Sequence, residues 1–412
     1  MRRALVCLCL TLVAVTARAG ENWPDYRGPK LDGHSDAVGL PLTWSETERV
    51  RWKTPIRGRG WSSPVVWGKQ IWMTSASEDG RAMYVICVDR DSGKTLLDRK
   101  IFENASPQPI HDINSYASPS PVIEAGRVYV HFGNYGTACL DTKTMQILWQ
   151  RRDLSCEFSV GPGSSPLLHG DLLLLTMDGI DLQYAVALDK KTGRMVWKTS
   201  RSTNLESVGA EQRKSFNTPV VVTVNGQAQL ISSGAQAVYG YEPRTGKELW
   251  RVRFDGYSHS SRPLIGDGVA YINTGFNRPS LMAVRLGGQG DITGSHVLWR
   301  YTRNVPAKPS SLLIEDLIYM VDDSGVATCI EAKTGREVWK ERVGGAFSAS
   351  PIYADGRIYL FSENGTVTVL KPGRTFQKLA ENKLESGFMA SPAVAGKALF
   401  LRTKTHLYRI ER

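Results

Sequence analysis

The chain has 412 residues, a formal charge of +11 and 42% apolar residues, with 39 glycines and 20 prolines. Its basic residues are scattered among acids rather than gathered in a stripe, so nucleic acid is not an expected partner. No stretch beyond residue 19 approaches the roughly 20 apolar residues of a membrane helix.

The first residues read as an export signal. Arg2-Arg3 precede an apolar core over Ala4–Val15, and Ala17-Arg18-Ala19 is a small-x-small cleavage site. Residues 1–19 are therefore expected to be removed near Ala19, leaving a periplasmic or secreted protein with no integral membrane segment. Loss of Arg2, Arg3 and Arg18 lowers the charge from +11 to +8. Residues 20–48, with Trp23-Pro24-Asp25-Tyr26-Arg27-Gly28-Pro29 and Gly33-His34-Ser35, read as an ordered extended arm.

From residue 49 onward one phrase recurs. A start of the type Ser164-Ser165-Pro166-Leu167-Leu168 is followed by an ending of the type Leu188-Asp189-Lys190-Lys191-Thr192-Gly193-Arg194-Met195-Val196-Trp197. The ending returns at Tyr241 to Trp250 and Ile330 to Trp339. It is worn at Asp141 to Trp149, where Met145 replaces the glycine, and at Asp89 to Leu97, where Leu97 replaces the tryptophan. The fifth copy keeps only Trp299. The starts are marked by Pro64, Pro121, Pro166, Pro219, Pro263, Ser311, Pro351 and Pro392, spaced 40 to 57 residues apart. Periods of this size belong to stacked or radial repeats.

Each copy reads as four short strands. In the seventh, Asp355-Gly356 and Glu363-Asn364-Gly365 are hairpin turns between apolar runs. The Thr-Gly supplies the third turn, since glycine takes positive φ freely. Four strands cannot bury both faces alone, so the copies must stack. Eight of them imply an all-β, eight-bladed propeller over residues 49–412. The last copy holds three strands (Ser391–Val394, Ala398–Arg402, His406–Ile410), and Arg49–Thr54 is a fourth strand without its first three. The ring is expected to close by joining them, which removes two exposed edges.

Four cysteines follow residue 19. Cys87, Cys139 and Cys329 share one repeat position, two before the Asp/Glu, where Ala187 and Gly240 stand in other copies. A small packed residue explains that position, and no disulfide with Cys156 is expected.

Chemical motifs are few. Ser92-Gly93-Lys94-Thr95 lacks the earlier glycine of a phosphate loop, and Asp89-x-Asp91-x-Gly93 lacks the closing glutamate of a calcium loop. There is no Gly-x-Ser-x-Gly or His-Glu-x-x-His, and the seven histidines show no ligand spacing. Neither a catalytic nor a metal-binding residue is assigned. The tryptophans, one per copy, suit packing between blades.

With its Ala187-Leu188-Asp189…Thr192-Gly193…Trp197 motif and copies, the chain resembles the bacterial PQQ-like β-propeller repeat proteins. The opening Trp23-Pro24-x-x-Arg27-Gly28-Pro29 resembles a secreted branch of that family. The family includes the periplasmic propeller subunit of the outer-membrane barrel-assembly machine and the quinoprotein alcohol dehydrogenases. The resemblance implies either a binding scaffold or, as the competing class, an oxidoreductase with pyrroloquinoline quinone (PQQ) in the central funnel. The dehydrogenases carry adjacent cysteines beside the quinone, and this chain has no Cys-Cys pair. A scaffold without a cofactor is therefore the expected reading, and a monomer the expected state.

Loop length points to a face. From the Trp position to the next marker the connections run 12, 24, 17, 22, 13, 12 and 12 residues. The expanded ones, 99–118, 151–163 and 199–217, fall on one face over blades two to four, and clustered insertions often mark a binding face. They offer His111, Asp112, Tyr116, Glu157, Phe158, Glu211, Arg213, Lys214 and Phe216. Arg57, Arg59, Trp61, Tyr257 and His259 are expected at the same funnel mouth. This mixture of aromatics and both charges suits a protein or glycan partner in the cell envelope.

Overall fold

The computed structural model describes residues 20–412; the expected export signal lies outside the described residues. Eight antiparallel sheets of four consecutive or shared strands succeed one another around a ring. Their innermost strands begin at Val65, Val122, Leu167, Val220, Leu264, Leu312, Ile352 and Ala393. Each is the residue after its sequence marker, Ser311 included. Blade eight takes its outer strand from the other end of the chain. Val50–Pro55 pairs antiparallel with His406–Glu411, Val50 opposite Ile410 and Pro55 opposite His406. This closes the ring.

The repeated ending has a local and a non-local cause. Locally, Asp189 Oδ1 accepts from the Lys191 and Thr192 amides and the Thr192 hydroxyl. These bonds hold its carboxyl below the usual range, the Thr192 hydroxyl contributing most. Gly193, at φ +73°, then turns the chain back. Non-locally, the tryptophan of the preceding blade lies on that turn. A Cβ on Gly193 would stand 2.6 Å from the Trp149 ring, and one on Gly93 2.7 Å from Trp52. The indole Nε1 atoms of Trp52, Trp149, Trp197, Trp299 and Trp339 donate to carbonyls of the next blade's turn at 2.9–3.2 Å. Neighbouring sheets are thereby clamped at their outer edge.

The two worn copies prove to be one event. Leu97 of blade one and Met145 of blade two share an apolar cluster, and the Arg99 Nη1 donates to the Met145 carbonyl at 2.9 Å. Leucine leaves room for a side chain where an indole would not. Blade five, which lacks the turn, instead sends Gly290–Asp291 to pair parallel with Trp250–Arg251. Trp250 is fully buried and donates to Gln229 of its own blade at 2.8 Å.

A second set of bonds encircles the axis. The residue before each marker offers its hydroxyl to the equivalent amide of the blade before it. Ser63 N donates to Ser120, Ser120 N to Ser165 and Ser165 N to Thr218. Arg262 N donates to Ser310, Ser310 N to Ser350, Ser350 N to Ser391 and Ser391 N to Ser63, all at 2.8–3.0 Å. The circlet is broken at one place, where Arg262 has no hydroxyl.

Arg262 has another task. Its guanidinium grips Asp25 of the arm at 2.6 and 3.0 Å, both groups buried, and lies 4.6 Å from the Tyr26 ring centre. The arm crosses the axis beyond the circlet, touching the inner strands around it. Trp23 exchanges both backbone bonds with Val66 at 2.8 Å, and Pro24 O accepts from Ile123 N. Arg27, buried and held down to about 10 by desolvation, donates to the Pro351 and Ser311 carbonyls. His34–Ser35 pairs parallel with Tyr353–Ala354 of blade seven. The Trp-Pro-Asp-Tyr-Arg-Gly stretch thus seals one end of the central channel.

The four cysteines among the described residues are buried free thiols; Cys139 and Cys156 share one apolar cluster. No helix among the described residues is long and apolar enough to cross a membrane.

Glycine replacement separates the two demands on these turns. Gly226 is at φ +79°, and a Cβ added there would meet nothing within 4 Å. Gly226→Ala should cost only about 1–2 kcal/mol, the left-handed backbone penalty. Gly193→Ala should lose a further ~1–3 kcal/mol because the indole must move. Urea denaturation of the two variants checks the order; equal losses would deny the clamp.

Candidate functional site

Beyond the circlet, on the side away from the arm, the ring opens into a funnel of about 570 Å³. The residue three before each marker turns inward there: Trp61, Ser118, Gly163, Phe216, Ser260, Lys308, Ser348 and Met389 all line it. Every blade therefore contributes one wall position. The second-to-third-strand hairpins add Phe276 and Asp323, and the expanded loops add His111, Ile113, Asn114, Val160, Glu211 and Lys214.

Two aromatic walls stand half a ring apart. On blade one, Trp61 Nε1 donates to Ile113 O at 2.9 Å, and the Arg59 guanidinium lies 5.2 Å from its ring centre. On blade five, Phe276 N donates to Tyr257 O at 2.8 Å and the two rings meet edge to face at 5.9 Å. Phe276 is 58% exposed and Ile113 52%, large values for such side chains.

The charges in the lining are paired within the protein. Lys214, buried, bonds Glu211, whose carboxyl it holds below the usual range; Glu211 also accepts from Ser159 at 3.0 Å. Lys308 bonds Glu363 at 3.1 Å. Asp323 accepts from the Ala307 and Lys308 amides at 3.0 and 3.2 Å, while burial raises its carboxyl. Ser258 sits at φ +53°, and its buried hydroxyl has no hydrogen-bond partner.

Of the residues singled out in the sequence, Trp61, His111, Glu211, Lys214, Phe216 and Tyr257 come together in this lining. Asp112 and Glu157 are exposed on the rim; Asp112 O accepts from Arg59, and Glu157 N donates to Asp181 at 2.6 Å. Arg213 stays within its own loop, donating to Val208 O at 3.1 Å. Arg57 turns to the outer strand of blade one and pairs with Asp98 at 2.7 Å. Tyr116, Phe158 and His259 are buried and form the interior of the loops. Tyr116 stacks edge-on to Tyr135 and donates to Gln108 O at 2.9 Å. His259 meets Ser215 Oγ at 3.2 Å. Loop length did not find Ser258, Phe276, Lys308, Asp323 or Met389, and within the expanded loop 99–118 it did not single out Ile113. The short connections reach the axis as well as the long ones, and the repeat position three before each marker was the signal for Lys308 and Met389.

A family model described as outer membrane protein assembly factor BamB matches residues 46–227 and 183–412. The BamB of Yersinia pestis is 23% identical over 202 residues, 45% of this chain and 48% of that protein. The chain thus spans about half the length of the curated relatives it matches. Among solved structures, BamB from Moraxella catarrhalis superposes with TM-score 0.61 at 12% identity, covering 87% of this chain and 99% of that one. The quinohemoprotein alcohol dehydrogenase of Comamonas testosteroni gives 0.66 at 11% identity, covering 94% and 80%. At these identities the structures share the fold.

The dehydrogenase fold implies PQQ, a flat tricarboxylate that needs free cations around it. The two lysines that line the funnel are each committed to an acid of the protein. No three His, Cys, Asp or Glu side chains are grouped to hold a metal ion among the described residues. The residues present do not fit that group.

Two buried histidines give the molecule an acid limit. Burial lowers His259 to about 4 and His131, bonded to Thr137 at 2.8 Å, to about 3. Their contribution is complete above the unfolded pKa of about 6.5 and is lost as pH falls toward the folded values. Between pH 7 and 5 each should remove about 2 kcal/mol of stability. His259→Asn should shrink the pH 7-to-5 difference in urea stability by about that amount; an unchanged difference would show that His259 is charged when folded.

Proposed function

Because the chain belongs to the PQQ-like β-propeller family, which includes BamB and the quinoprotein alcohol dehydrogenases, we propose that it is an exported binding and assembly scaffold. It recognises a protein or glycan partner in the cell envelope on the face carrying the expanded loops of blades two to four. One observation carries this reading. The arm fills one end of the axis, while the other end is a loop-built concavity with exposed apolar groups at its lip. Exposed aromatic and aliphatic side chains are the composition of interface centres, with charged groups around them at the rim. The name of the BamB relatives, outer membrane protein assembly factor, supports a protein as the partner or as the carrier of the glycan.

Tyr116 and Phe216 are buried, so alanine there would disturb the loops as well as any contact. Ile113 and Phe276 give a cleaner test. A photo-crosslinking amino acid at either position should trap one defined envelope partner in cells. The same probe at Leu148 or Leu298, exposed on outer strands, should not. Adducts from the outer strands alone would place the working surface elsewhere. Reduction of an acceptor dye by the purified protein only after PQQ and calcium are added would replace the scaffold with a dehydrogenase.

A further inference from the structure

We infer that the funnel is a binding site for a neutral saccharide, a proposal that rests on the loop face being the working surface. Charge selects first. Lys214 is tied to Glu211, and Lys308 to Glu363 and Asp323. An anionic ligand would have to draw the buried Lys214 away from Glu211, or take Lys308 from the partly buried carboxylates of Glu363 and Asp323, a costly exchange. A neutral ligand leaves the pairs intact. It still meets side chains that donate and accept at fixed positions.

The walls then select the ligand's shape. Trp61 on blade one and Tyr257 and Phe276 on blade five line the same funnel, half a ring apart. A pyranose ring carries apolar C–H faces that lie flat on aromatic rings, whose π faces are electron-rich. Its rim of hydroxyls, each both donor and acceptor, suits carboxylate–ammonium pairs better than a hydrocarbon would. The volume of about 570 Å³ is that of a small-ligand cleft, which runs about 300–1,000 Å³.

Just beneath the lining lies an unpaired hydrogen-bonding group. The Ser258 hydroxyl is buried without a partner, on a residue at φ +53°. A left-handed serine is strained, and strain of this kind gathers at binding sites. A buried orphan hydroxyl is itself unfavourable. A small turn of the Ser258 side chain toward the funnel would bring it to a sugar hydroxyl at the foot of the blade-five wall.

The full chain should be titrated by calorimetry and tryptophan fluorescence with neutral tetrasaccharides of glucose, N-acetylglucosamine, galactose and mannose, and with tetragalacturonate. Saturable binding by at least one neutral sugar is expected, with tetragalacturonate at least about tenfold weaker. Phe276→Ala, which removes an exposed ring, should weaken that binding about tenfold with unchanged melting; Trp61→Ala should do the same and abolish the fluorescence change. The proposal is overturned if no neutral sugar saturates, if the acid binds as well, or if both variants bind normally. Failure here with crosslinks still formed at Ile113 and Phe276 removes only the saccharide. Failure of both removes the loop face as well.

Discussion

An indole ring donating to the turn of the next blade holds five of the eight blade pairs together. The contact explains why the sequence repeats the way it does. The tryptophan needs glycine beneath it, the glycine needs positive φ, and the aspartate fixes the turn so that its carbonyl meets the indole N–H. These residues sit in different blades, so each copy of the motif is half of two contacts. Leu97 and Met145 show the rule by breaking it together. Trp250 shows the consequence of a missing turn, because blade five must then supply an inserted strand and Gln229 must take the indole proton.

At the axis the governing bonds are smaller and more numerous. Seven hydroxyl-to-amide links run around the inner strands, and the eighth position is given to Arg262 so that the arm can be anchored through Asp25. Removing one partner of such a buried pair leaves the other charge uncompensated, at a cost of about 3–5 kcal/mol. The pair thus makes the arm an integral part of the ring. Closure is accomplished twice, by the shared strand at blade eight and by the arm across the channel.

The fold was legible because its signals are periodic. Proline markers, Thr-Gly turns and tryptophans placed every inner strand to within two residues, and the three-stranded last copy identified its complement over Arg49–Thr54, which the structure shows as Val50–Pro55. Arg262 and Asp25 were not legible, being 237 residues apart; an arginine before proline reads as an ordinary surface cation until the circlet shows what it displaces. The candidate site was half legible. Long loops were found by length, but a long loop needs its own small core. Tyr116 and Phe158 were recruited to that core, while Phe276 and Ile113 remained exposed at the lip. Phe276 lies on a hairpin of blade five that no length criterion marks.

Together these constraints leave the molecule with one sealed end and one open end, and the proposed working face is the open one. That assignment depends most on the arm being a structural floor. Amide hydrogen exchange of the full chain measures this directly. The Val66, Ile123 and Tyr353 amides bond to the arm. They should exchange as slowly as the central strands of their blades, with residues 23–35 protected to the same degree. Exchange of 23–35 at the rate of a free peptide, with those three amides unprotected, would mean an open channel and would contradict the sealed floor.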